Sequence, residues 1–160
     1  MRKIVEIVVF VLLLGSACGN DANEGLPTDA VITYQFNDAS VPPEYHRSYR
    51  ITVSKDDASI VVDSYGDVLS QATVDTPDWA WDALSDGVAR VAMLESSNAQ
   101  DGCVGGTSVD VTVLAGSQIV VDLYVPECGG SNDSAGQVVD QWISSARDLF
   151  PPMSELVPED

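Results

Sequence analysis

Tyr49-Arg50-Ile51-Thr52-Val53-Ser54-Lys55-Asp56-Asp57-Ala58-Ser59-Ile60-Val61-Val62-Asp63 alternates apolar and polar residues, breaks at a polar stretch, then alternates again. A period of two is the signature of a half-buried strand. Tyr49, Ile51 and Val53 share one face, as do Ile60 and Val62, and Lys55-Asp56-Asp57-Ala58 reads as the turn between them. Facing Ile51 with Val62 and Val53 with Ile60 puts both apolar sets on one side. That register sets Arg50 opposite Asp63, a cross-strand ion pair worth on the order of a few tenths of a kcal/mol.

The same alternation extends in both directions. Ile32, Tyr34 and Phe36 point one way and Thr33 and Gln35 the other. After Tyr65-Gly66-Asp67, a turn by composition, a weaker strand covers residues 68–74. Thr76-Pro77-Asp78 then reads as a helix start: a hydroxyl cap, proline in the first turn and an acid beside it. Trp81, Leu84, Val88 and Val91 follow at helical spacing, so a helix is expected over residues 77–93. By the same spacing the tryptophans read as core. Val109, Val111 and Val113 form another strand, and Ile119, Val121 and Leu123 its partner. Matching Val111 to Val121 leaves Ala115-Gly116-Ser117 as the hairpin loop. Ser131-Asn132-Asp133-Ser134 offers caps for a last helix with a stripe of Val138, Val139, Trp142, Ile143, Ala146 and Phe150, stopped by Pro151-Pro152. The expected fold is α+β, in the order ββββαββα: a mainly antiparallel sheet of about six strands with both helices on one face. Residues 30–152 make its single domain, and residues 153–160 a loose tail.

The N-terminus carries a different signal. Met1-Arg2-Lys3 is basic, residues 7–14 are apolar, and Gly15-Ser16-Ala17-Cys18 supplies small residues before a cysteine. The apolar run is too short to span a bilayer, which takes about 20 residues, so it reads as a signal peptide. It resembles the leader and lipobox of bacterial lipoproteins, in which the peptide is cut before a cysteine that then carries lipid. Two places depart from that pattern: Gly15 stands where the family prefers Leu, Val or Ile, and Glu6 sits at the edge of the apolar run. The alternative is an ordinary secretory signal without lipidation. On the lipoprotein reading residues 1–17 are removed, Cys18 is the lipid attachment site, and residues 18–29 are a lipidated cysteine and polar tether. Gly19 follows that cysteine rather than an acid, which resembles cargo released to the outer membrane where the host has one. The protein is then expected in the cell envelope, facing outward from the cytoplasm and held by its lipid.

The chain has three cysteines. Committing Cys18 to lipid leaves Cys103 and Cys128, and export would place them in an oxidising compartment. The hairpin register above brings these two to the same open end, beside Gly105-Gly106 and Gly129-Gly130. One disulfide between them is expected, worth about 3–4 kcal/mol on the loop-entropy account. The rival readings are a metal site or a reactive thiol; two cysteines and a lone histidine supply few metal ligands.

Charge narrows the function. The net charge is −18, and from Cys18 onward 24 acids face 5 bases. Nucleic acid, which needs a basic face, is an unfit partner. Anionic lipid would also repel the domain, so the lipid would have to supply the membrane attachment. No EF-hand loop, Gly-rich phosphate loop or Gly-x-Ser-x-Gly elbow occurs, and no cofactor or metal is expected.

One stretch between strands concentrates chemistry: Ser40-Val41-Pro42-Pro43-Glu44-Tyr45-His46-Arg47-Ser48-Tyr49. Glu44, His46 and Arg47 could form an acid–base or anion-binding cluster. In the plainer reading, the prolines shape a loop, Tyr45 and Tyr49 anchor it, and His46 and Arg47 satisfy carbonyls. This stretch, with Val61-Val62-Asp63-Ser64-Tyr65-Gly66-Asp67, Gly102-Cys103-Val104-Gly105-Gly106-Thr107-Ser108 and Cys128-Gly129-Gly130, resembles a group of uncharacterised bacterial lipoproteins. The resemblance brings neither an activity nor functional residues. With no convergent catalytic set, the expected function is a non-enzymatic binding or interaction module with a partner in the envelope. The alternatives are a hydrolase-like enzyme centred on the 42–49 loop and an inhibitor-like module that presents that loop.

Overall fold

The computed structural model describes residues 25–96, 105–127 and 134–158. Cys18, Cys103 and Cys128 lie outside them, as do the signal peptide, most of the tether and the cap residues at 131–133.

Six strands form one antiparallel sheet: β1 (Ala30–Asn37), β2 (Ser48–Val53), β3 (Asp57–Ser64), β4 (Asp67–Asp75), β5 (Thr107–Ala115) and β6 (Gln118–Glu127), in the order β4-β3-β2-β1-β5-β6. Helix α1 (Asp78–Ala92) follows β4, and α2 (Ser134–Arg147) follows β6. The α+β class and the order ββββαββα stand as read from the alternation. Ile32, Ile51, Val53, Val62, Val111 and Val113 are fully buried on one sheet face together with Leu84 of α1 and Ile143 of α2. Thr33, Thr52, Thr112 and Asp122, on the other face, remain half-buried or exposed. Among the described residues no helix is long and apolar enough to cross a membrane.

The two helices meet where Trp142 lies against Gly87; a Cβ on Gly87 would run into the indole ring. The Trp142 Nε1–H donates to the Leu84 carbonyl at 2.8 Å, so its one polar group is satisfied inside the core.

Several finer expectations are corrected. In the first hairpin Ile51 faces Ile60 and Val53 faces Ala58, so Arg50 stands opposite Val61 and Asp63 opposite Ser48. The expected Arg50–Asp63 pair does not form. The turn is tighter than composition suggested because Ser54 folds onto it. Its Oγ accepts from the Asp56 and Asp57 amides and donates to the Asp57 carbonyl, leaving only Lys55-Asp56 at the tip. The second hairpin is shifted likewise: Val111 faces Leu123 and Val113 faces Val121. Ala115 pairs with Gln118 and Leu114 with Ile119, so Val120 is an extra residue, a β-bulge. Thr76 does not cap α1. Its Oγ1 is buried without a partner among the described residues, and the Pro77 carbonyl accepts the first helical bonds from Ala80 and Trp81. Trp81 and Trp142 are core, but Trp79 is 57% exposed, because its position falls outside the stripe of Trp81 and Leu84.

Residues 153–157 are not a loose tail. Met153–Leu156 form a short helix, α3, entered through Pro152. Met153, Leu156 and Val157, spaced as one helix face, pack against the core and fold the chain back over the sheet.

Candidate functional site

Residues 38–47 join β1 to β2, so the 42–49 stretch covers the second half of this connection and the first two residues of β2; its backbone turns on the Pro42 carbonyl, which accepts from the Tyr45 amide at 2.9 Å and the His46 amide at 3.2 Å. Asp38 holds its base. One carboxylate oxygen accepts from the Ala39 amide at 2.7 Å and the other from the Arg47 amide at 2.8 Å. The Ser48 hydroxyl accepts from the Asp38 amide at 3.0 Å.

His46 turns inward and is 5% exposed. Its Nδ1 accepts from the Tyr65 amide at 3.3 Å, and its Nε2 lies a long 3.4 Å from Ser48 Oγ. The ring stacks on Tyr65, with centroids 3.9 Å apart and planes 21° from parallel. Tyr65 sits at the β3–β4 turn with φ 52°, a left-handed conformation costly for any residue but glycine, and Gly66 follows at φ 95°. The Tyr65 hydroxyl donates to the Val41 carbonyl at 2.6 Å and Ser64 Oγ to the Pro43 carbonyl at 2.8 Å. The strained turn and the loop thus hold each other.

Glu44, His46 and Arg47 do not come together as an acid–base cluster. Glu44 is exposed, Tyr45 projects beside it, and His46 faces the other way into the β3–β4 turn. An Arg47 guanidinium N–H donates at 2.8 Å to the His46 carbonyl. The Ser48–His46 approach resembles a nucleophile and its base by distance, but its polarity is reversed. A general base must accept the serine proton at Nε2 while a carboxylate holds the Nδ1 proton. Here Nδ1 is the acceptor, which assigns the neutral ring's proton to Nε2. Ser48 is itself buried.

The loop has a second role, as one wall of a cleft. Tyr49, stacked on Phe36 at 5.1 Å, and Arg47 line one side; Arg147, Phe150, Met153 and Leu156 line the other. The cleft measures about 710 Å³, within the range of small-molecule sites. An adjoining hollow of about 980 Å³ shares Tyr45, Arg47 and Met153 and continues past Leu69 and Val157.

Two charged groups in the walls are already engaged. Arg147 pairs with Asp140 at 2.6 Å. Burial works against the Arg147 charge and is the largest single influence, but the hydrogen bond to Asp140, together with the charge interactions with Tyr49, Asp140 and Tyr34, outweighs it and holds the guanidinium above its usual range. Asp38 has both oxygens occupied by amides. Beside Tyr49, burial and then the Tyr49 phenol push the Tyr34 phenol above its ordinary range, so it stays protonated. Among the described residues no group of three or more His, Cys, Asp or Glu is placed to hold a metal ion.

Sequence reasoning located the loop but missed the cleft, because part of its far wall, Met153 and Leu156, lies in the segment expected as a tail. The i, i+3, i+4 spacing of Met153, Leu156 and Val157 is the signal that could have found it. No protein-family model matches the chain, and no curated protein matches it.

Proposed function

We propose that the protein is a lipid-anchored component of the bacterial cell envelope that binds a ligand in the cleft between the 42–49 loop and the C-terminal segment. Cys18 carries the lipid, and Cys103 and Cys128 form a disulfide. Cys128 directly follows Glu127, and Cys103 precedes Thr107 by four residues, at the end of the hairpin where Thr107 pairs with Glu127. Where the host has an outer membrane, the protein belongs there.

The observation that carries the binding reading is the division of labour within the loop. His46 is spent on locking the loop, while Tyr49 and Arg47 face a cleft whose apolar lining includes Phe36, Phe150, Met153 and Leu156. A catalytic centre built on Glu44, His46 and Arg47 has no support in this arrangement.

The anchor is tested by mass spectrometry of protein isolated from membranes. Acyl mass on Cys18, with Cys103 and Cys128 two hydrogens short of free thiols, is expected; an exported chain with unmodified Cys18 contradicts it. The cleft is tested by a ligand-observed NMR screen of small aromatic and aliphatic compounds against the protein and its Met153→Trp variant, which fills the cleft. Ligands should be found and lost in the variant. Ligands retained equally by both place binding elsewhere.

A further inference from the structure

We infer that the cleft is built for a singly charged organic acid: an apolar body with one carboxylate, seated on Arg47. This rests on the reading above that the cleft is a binding site, and adds what it binds. Five bases remain after Cys18 among 24 acids. Lys55 and Arg147 have carboxylate partners. Arg50 and Arg90 are exposed, where water solvates the charge. Arg47 is different: it is half-buried and forms no ion pair among the described residues. It also lines both the cleft and the adjoining hollow.

Its neighbours explain why the chain's own acids leave it free. Asp38 has each carboxylate oxygen accepting one amide, that of Ala39 and that of Arg47, and Glu44, the acid nearest in sequence, is exposed and forms no ion pair with Arg47 among the described residues. The pull of Asp38 on the Arg47 backbone fixes where the side chain starts. One guanidinium N–H goes to the His46 carbonyl, and the remaining donors form a planar fork with no acceptor among the described residues. Such a fork matches the two oxygens of a carboxylate. Phe36, Tyr49, Phe150, Met153 and Leu156 around it favour an apolar body. Asp148 and Glu44, both exposed at the margins, disfavour a second negative charge on the ligand.

The test is equilibrium dialysis of the full-length protein in lipid nanodiscs, with empty nanodiscs as the blank. The probes are 2-naphthoate and its uncharged analogue 2-naphthalenemethanol. The wild type should retain the acid about ten-fold more tightly, the size of a charge-assisted hydrogen bond. Arg47→Gln should erase that preference without weakening retention of the alcohol, and Arg47→Lys should keep part of it. Equal retention of both probes by the wild type overturns the carboxylate inference but leaves the binding cleft standing. A preference for the acid that survives in Arg47→Gln does the same. Retention of neither probe overturns both. The comparison of probes on the wild type stands even if the variants fold poorly.

Discussion

The two walls of the cleft are made by opposite means. The 42–49 loop is held by directed polar contacts: Asp38 grips its amides, His46 accepts from Tyr65, and Tyr65 and Ser64 reach back to its carbonyls. The C-terminal wall is held by apolar packing. Trp142 seats α2 against Gly87, Phe150 is buried, and Met153 and Leu156 rest half-buried on the core. Hydrogen bonds demand one geometry, whereas apolar contacts tolerate sliding. The loop therefore sets the position of Arg47 and Tyr49, and if the cleft binds a ligand as proposed, the C-terminal wall is the side expected to adjust.

Substitutions can break this contrast. Trp142→Ala should have the largest effect, destabilising by about 3–5 kcal/mol, since it opens a cavity between α1 and α2 and removes the seat of the C-terminal wall. Chemical denaturation measures this. His46→Ala should cost about 2–3 kcal/mol, because the Tyr65 amide loses its acceptor and the strained turn its stacking partner. The loss should concentrate in the loop, seen as faster amide exchange at Arg47 and Tyr65, with α2 unchanged. Uniform acceleration would mean the loop is no separate unit.

A finer cut separates stacking from strain at Tyr65. Tyr65→Ala and Tyr65→Gly both lose the ring and its hydroxyl, but only alanine keeps the cost of φ 52°. Tyr65→Gly should be the more stable of the two by about 1 kcal/mol. Equal stabilities would show that the turn relaxes once released.

The smallest effect lies away from both walls. Lys55 holds the fully exposed Asp78 carboxyl below its ordinary value of 3.8 through a 2.6 Å hydrogen bond and ion pair. A depressed carboxylate stabilises above its unfolded value and loses that contribution as pH falls through the folded one. Asp78→Asn should leave neutral stability nearly unchanged and slightly flatten its decline below about pH 4. Parallel acid unfolding curves for the two proteins would contradict this.

What could be read from the chain followed from its periodicities. Alternation at Tyr49, Ile51 and Val53 assigns a strand and a face, but it repeats every two residues. It therefore cannot tell Ile51 facing Val62 from Ile51 facing Ile60. Both hairpins were displaced by that same step of two. What settles it is local: the Ser54 hydroxyl in one turn, the bulge at Val120 in the other. His46 and Tyr65 meet across 19 positions with no periodic relation between them. The distinctive composition of the loop was visible; the partner that gives His46 its role was not. The far wall escaped because a single turn at residues 153–156 is too short to stand out from a polar terminus.

A site-resolved titration tests the cleft most directly. Isotope-labelled protein titrated with 2-naphthoate and followed by amide and methyl NMR should show saturable shifts at Tyr45, Arg47 and Tyr49 and at Phe150, Met153 and Leu156, with the β5–β6 hairpin still. Shifts that centre on the hairpin or the exposed sheet face, or none at all, would contradict it.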